Sequence, residues 1–564
     1  MSRGKKRTPL GGGLGRRRAT GGRGRRPAEA TWLNPEAPAS EDVTPEDDGV
    51  TRIGSGPRAK TAEPGEAEGV SMAARGGAFA KVVFDKVLDV ATIVAGNRYG
   101  VAASILVAVA ALYGSAALTR PGEPSALKGA TVPVGTALAA CPAAEQTARL
   151  SVVSGGEGQG SASVTALDGK AEGKAVADVP TASALFTGEV KRGSALVVRA
   201  EGAVAAGLEA AHTVAGKKGL ASAPCTAPST EHWFVTPGPG AGPLELHVTN
   251  VDDVPATIDL DAVSDDGSLD TTDGKSLDVP AHGTRVIKIG ESLEGLGMIA
   301  SDVDVLALRV TATSGRVAAA VRADVGARGA DWATPTAEPA LRAIVPGVPG
   351  GSGKRTLYVG APGGSDARVT IRAITAEGAF VPEGQDVLDV PARTVIPLDL
   401  ESSLGGRPAT IELTSNRKIV AGFASGGYDL ALGGAGIPLD GGTSALGAVV
   451  PASGSSGAKK SREAARIVLT APEKDAVVRV VPLTASGPGT PTEVKIPAGR
   501  TVEVPLTEGA VRVTPLAGSG PVYGARLLSL KAGQREQLTV RTLFPAPLEI
   551  VLPPVSGSLT SVVP

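Results

Sequence analysis

Four histidines (His212, His232, His247, His282) and two cysteines (Cys141, Cys225) are the whole supply of imidazole and thiol in 564 residues. Hydrolysis through a serine or cysteine nucleophile needs a histidine base held against it. No G-x-S-x-G elbow precedes a helix-like run to make such a pair. His247 alternates within a strand-like stretch. His282 sits in a turn whose sister copies carry Arg393 and Gly499, so the repeats dispense with it. The stretch GVPGGSGKR (347–355) imitates a phosphate-cradling loop, which needs G-x-x-x-x-G-K-[ST] between a strand and a helix. Here Val348 stands at the leading glycine position, Arg355 stands where the hydroxyl must be, and strand-like runs flank it.

The acids Asp259, Asp261, Asp265, Asp266, Asp270 and Asp273 could offer oxygens to calcium, but they lack the D-x-D-x-D-G order. The residues lead to the expectation of no catalytic set, no metal and no cofactor. Trp233, in HWFVTPG, is the side chain best suited to stack on a sugar ring or to pack a joint between domains.

Cys141 and Cys225 invite pairing, because an even count in an oxidising compartment favours a bridge. Closing a loop of about 85 residues would stabilise by roughly 4–5 kcal/mol in the chain-entropy picture. Two buried free thiols are the alternative. Zinc is disfavoured, since no C-x-x-C accompanies them.

The elements that position these residues are organised by an internal repeat. SLDVPAHGTRVIKI (276–289), VLDVPARTVIPLDL (387–400) and EVKIPAGRTVEVPL (493–506) align on Pro280, Pro391 and Pro497, which are 111 and 106 residues apart. A strand pair precedes and another follows each of these stretches, with Gly, Asp, Asn and Ser in the turns. Thr257–Asp261 and Arg368–Arg372 alternate apolar and polar side chains, the period of a half-buried antiparallel strand. The V-P-A element suits a turn, because proline is barred from central ladders. A repeat of this length with six or seven short strands matches an immunoglobulin-like β-sandwich in size, without the Cys…Trp…Cys signature. The spacing predicts repeats over 229–340, 341–446 and 447–564, and a divergent first β module over 128–228 that holds both cysteines. Single propeller blades are too short for such a period.

Composition agrees. Gly (76) and Pro (43) make up about a fifth of the chain, and aromatics only 3%, so turns are plentiful and bulky core anchors scarce. Net charge is −1, but residues 1–26 carry ten Lys or Arg and no acid, and an acidic stretch follows from Glu36 to Asp48. Residues 1–70 lack apolar periodicity and are expected to be a disordered tail. Residues 71–98 read as a juxtamembrane helix. Residues 99–118 (YGVAASILVAVAALYGSAAL) are uncharged for the length a helix needs to cross a membrane, and 119–127 as a linker. The basic flank predicts a cytoplasmic N-terminus and an exported C-terminal part. A cleaved signal is the competing reading if Met72 is the true start. The tail is expected to meet anionic lipid rather than nucleic acid, since no aromatic side chains interleave its arginines.

The Arg/Gly-rich tail, the apolar span, the segment from Cys225 to Phe234 and the P-A-G repeats resemble an uncharacterised actinobacterial family of large, single-pass, envelope-exposed proteins with a domain of unknown function. The resemblance implies placement in the cell envelope and carries no catalytic residue. The reading is of an all-β chain: tandem immunoglobulin-like sandwiches behind a signal-anchor. Its expected role is a non-enzymatic scaffold or interaction stalk with envelope protein or glycan partners. The alternative is a glycan-binding or glycan-processing accessory factor.

Overall fold

The computed structural model describes residues 98–118, 130–170, 173–179, 184–216, 218–269, 271–427, 429–439, 445–448, 462–506, 510–532 and 535–553. The chain divides into two compact units, Met1–Arg120 and Pro121–Pro564. The tail 1–70, the segment 71–98 apart from Arg98, and the linker 119–127 lie outside the described residues.

In the first unit a helix runs Arg98–Leu118, with no acidic residue in its first turn and no basic residue in its last. Ile105, Leu106, Val107 and Leu112 are exposed. The hydroxyls of Ser104 and Ser115 donate to the carbonyls of Val101 and Leu112, both at 2.9 Å, so neither is left unpaired along an apolar surface. Among the described residues no helix is long and apolar enough to cross a membrane. The described side chains run only from Tyr99 to Ser115, roughly 25 Å of helix against a hydrocarbon core of about 30 Å.

The second unit is all-β, with 36 strands and one single-turn α-helix, Glu401–Leu404, among its described residues. The strands fall into four repeats of one pattern. In repeat 1 one sheet is ordered Thr136–Cys141, Leu196–Gly202, Gly160–Ala166, Lys174–Val179, and the other Leu185–Val190, Ala148–Val153, Glu209–Gly216, Gly219–Pro224. Repeat 2 follows the same order, from Glu231–Pro237 to Ala330–Ala333. In repeat 3 a single strand of 18 residues, Ala409–Gly426, passes from one sheet into the other and joins them. Repeat 4 ends on Arg535–Thr542. Each pair of sheets encloses its own apolar core, and strand pairing is antiparallel throughout.

Alternation sets which face is buried. Ile258 and Leu260 are buried while Thr257, Asp259 and Asp261 are not, and Val369 and Ile371 are buried between Arg368, Thr370 and Arg372. The proline turn has a backbone reason for its composition. His282, Arg393 and Gly499, the three equivalent residues, all have positive φ, at 49°, 58° and 68°. Glycine adopts this conformation freely and other residues do so at a cost, so the position is held for its turn, and the His282 ring meets Asp253 Oδ1 at 2.8 Å.

The sequence leads to the expectation of a row of modules. The structure closes the row. The last strands of the four repeats, Gly219–Pro224, Ala330–Ala333, Leu430–Gly434 and Arg535–Thr542, meet at the centre, each packing against two others in cyclic order. Thr131–Pro133 at the start pairs antiparallel with Glu549–Val551 at the end. Leu552 N–H donating to Ala130 O at 2.9 Å and Val134 N–H donating to Leu548 O at 3.0 Å extend that pairing. Neighbouring cores merge as well: Val395, Val420 and Leu432 of repeat 3 join the core of repeat 2, and Val468, Leu527 and Val540 of repeat 4 join that of repeat 3. Burying apolar faces between repeats is what makes closure favourable.

Candidate functional site

Where the four central strands converge, the apolar packing is interrupted by charge. Asp331 lies in the run Ala-Asp-Trp-Ala and is fully buried; Asp429 opens the strand of repeat 3 and is 5% exposed. Asp331 Oδ1 accepts from Ser222 N–H of repeat 1 at 3.2 Å, and its Oδ2 accepts from Thr539 Oγ1 of repeat 4 at 3.0 Å. Asp429 Oδ2 accepts from Leu220 N–H of repeat 1 at 2.8 Å and from Leu538 N–H of repeat 4 at 3.1 Å, while Oδ1 accepts from Leu430 N–H at 3.0 Å. The two inner repeats thus each send one carboxylate to the same place, the seam between the first repeat and the last.

Two glycines make room for Asp429. A Cβ on Gly219 (φ +109°) would fall on its Oδ1, and a Cβ on Gly329 (φ +101°) would fall 2.4 Å from the same atom. Both also hold a backbone conformation that favours glycine.

Beside the aspartates stand two arginines. Arg526 and Arg541 are direct cross-strand partners in repeat 4. Like charges in that position repel, so counter-charges must be near. Arg541 pairs with Glu209 Oε1 of repeat 1 at 3.0 Å, and Arg526 donates to Ser222 Oγ at 2.9 Å. Burial dominates the ionisation of the cluster. It pushes Asp331 well above the usual carboxylate range, Asp429 up to about 7 and Glu209 upward against the pull of Arg541, and it lowers Arg526 to about 10.

Glu209 and Arg541 also line a cavity of about 470 Å³ between repeats 1, 2 and 4. Its walls are otherwise mostly apolar, with Leu138, Leu208, Cys225, Phe544 and Pro547 among them. A largely apolar hollow with few convergent polar groups is the usual form of a small-ligand site.

The residues singled out in the sequence are dispersed. Cys141 and Cys225 form a disulfide that ties the end of the first strand of repeat 1 to the chain leaving its last strand. Trp233 is buried: its Nε1 donates to Glu231 Oε1 at 2.6 Å and Arg309 lies 5.7 Å from its ring centre. It lines a groove of about 510 Å³ with Asp261, Lys275, Arg309 and Arg393. The loop 347–355 closes on its own guanidinium: Arg355 is 2% exposed and donates to the carbonyls of Pro349, at 2.7 Å, and Gly351. His212 is neutral in character, lowered to about 4 by burial. Asp259 and Asp261 lie in the strand Ala256–Ser264, where Asp259 accepts from Ser276 N–H at 2.8 Å and Asp261 pairs with Lys275. Asp270 lies outside the described residues, and among the described residues no group of three metal-ligating side chains occurs.

The sequence reading missed Glu209, Asp331, Asp429, Arg526 and Arg541. The one local signal was an acid standing inside an apolar final strand, in ADWA and YDLALGG.

No curated protein matches the chain. A solved tetra-tandem repeat from the extending region of a large adhesion protein is 12% identical, with 74% of this chain and 100% of that chain covered. Its TM-score is 0.07, and the likeness carries no argument. A model of a family of unknown function, DUF5719, matches residues 184–507, more than half of the chain, and the chain belongs to that family.

Proposed function

We propose that this chain is a non-enzymatic cell-envelope scaffold in which immunoglobulin-like sandwiches, tethered by the helix Arg98–Leu118, close on themselves to present their outer loops to protein or glycan partners. The observation that carries this reading is the closure: the first and last strands pair, and the central strands pack in a cycle. A closed array has rigid joints, and loops on a rigid frame are where binding surfaces are usually built. The disulfide fits an oxidising compartment. The apolar side chains exposed on the helix fit a tether with lipid around it.

Protease added to intact, wall-stripped cells is expected to remove an epitope placed at Pro564 and to spare one placed at Met1. Protection of both epitopes would end the envelope assignment.

The groove at Trp233 favours a second reading, a glycan contact, because charged and hydroxyl side chains surround one indole there. On that reading the purified protein is retained by cell-wall polysaccharide, and Trp233→Ala loses retention at least tenfold while Trp233→Phe keeps most of it. Equal retention of all three would remove the groove from consideration.

A further inference from the structure

The seam between repeats 1 and 4 is the one place where the array is not joined by continuous chain, and it is crossed by the carboxyl groups of Asp331 and Asp429. We propose that these two side chains form a proton-operated latch, holding the first repeat to the fourth more firmly as the pH falls.

The geometry gives the latch its parts. Each carboxyl group comes from an inner repeat and contacts both outer ones, at Leu220 and Ser222 on one side and at Leu538 and Thr539 on the other. Opening the seam would hydrate both groups and break bonds among those they accept from the outer repeats, from Leu220, Ser222, Leu538 and Thr539.

The charged and titratable groups around them are few. Repeat 1 supplies Glu209 and Lys218, the latter held by Asp324 of repeat 2. Repeat 4 supplies Arg526 and Arg541, and His212 touches Trp332 edge-on beside Asp331. Arg526, lowered to about 10, stays charged at neutral pH, and His212, lowered to about 4, stays neutral above that pH. Burial raises the two aspartates and Glu209, and His247 packs against the Trp332 ring at 4.9 Å on the same side.

The sign follows from burial. A carboxyl group raised in the closed state favours closure when protonated. That stabilisation is fully present below the ordinary carboxylate range and is lost as the pH rises through the raised value, which for Asp429 is about 7.

The test is hydrogen exchange of the full-length protein, read as protection factors for the amides of Gly219–Pro224 and Arg535–Thr542 so that the intrinsic pH dependence of exchange cancels. Treating Asp429 alone, the seam is expected to open about tenfold more readily at about pH 8.5 than at about pH 6. Asp331→Asn with Asp429→Asn is expected to bring the two conditions within about twofold, and Glu209→Gln to leave the difference in place. If the double variant does not fold, the single Asp429→Asn variant is read the same way, as a partial loss of the difference. Equal or greater protection at the higher pH in the natural protein would overturn the latch. So would loss of the pH dependence in Glu209→Gln alone.

Discussion

Replacing Cys141 and Cys225 by alanine is expected to lower the stability of repeat 1 by roughly 4–5 kcal/mol, since the bridge closes a loop of about 85 residues and its loss frees that loop in the unfolded chain. The bridge joins Cys141, at the end of the first strand, to Cys225, where the chain leaves the final strand toward repeat 2. It therefore fixes both edges of the divergent repeat, whose core is built largely from alanine and valine and includes both cysteines. Small side chains bury less apolar area each, so this repeat depends more than its neighbours on a covalent tie. Denaturant unfolding with and without a reductant should show the loss in the natural protein and no effect of reductant on the double variant. A change below about 1 kcal/mol would mean that packing against repeats 2 and 4 already holds repeat 1 in place.

A loss of similar size is expected at the centre. Arg526→Met is expected to destabilise by about 3–5 kcal/mol, the usual result of removing one member of a buried charged group and leaving its partners uncompensated. Arg526 is 1% exposed, directly opposite Arg541, and donates to Ser222 of repeat 1. Methionine restores much of the volume, so the loss reports charge and hydrogen bonding more than a cavity. The same variant should push the Glu209 carboxyl group further up, because Arg526 is one of the two guanidinium groups that hold it down. Urea unfolding of the variant measures the first effect and the pH dependence of its midpoint the second. Stability unchanged within about 1 kcal/mol would show that Arg541 alone neutralises Glu209 and that Arg526 is redundant.

Both effects bear on function in the same way. If the protein is the scaffold we propose, its loops keep register only while the seam is shut, and the bridge and the arginine act on the two repeats that meet there. On that proposal, a variant that opens the seam is expected to lose partner binding before it loses its sheets.

Much of this architecture is written locally. Alternation at Thr257–Asp261 and Arg368–Arg372 fixes which side chains enter the cores, because a pleated strand turns successive residues to opposite faces. The proline turns at Pro280, Pro391 and Pro497 mark the repeat, and the residue two positions after each has a positive φ in all three copies. The two cysteines, an even count, invited the pairing that the structure shows. Periodicity of this kind needs only a few neighbouring residues to be read.

The closure and the site at its centre could not be read that way. Asp331, Asp429, Glu209, Arg526 and Ser222 are drawn from all four repeats, and a hydrogen bond among them joins residues 304 positions apart. No local pattern encodes such a meeting. It follows from how the last strand of each repeat packs on the next, which depends on the shapes of whole sheets. The sequence by itself determined strands, turns and repeats and made the covalent bridge the expectation, since each rests on short-range backbone preference or on chemistry between like residues. Only the tertiary structure decided that the repeats form a cycle and that buried carboxylates cross its seam, because desolvation and long-range contact arise only once the chain has folded.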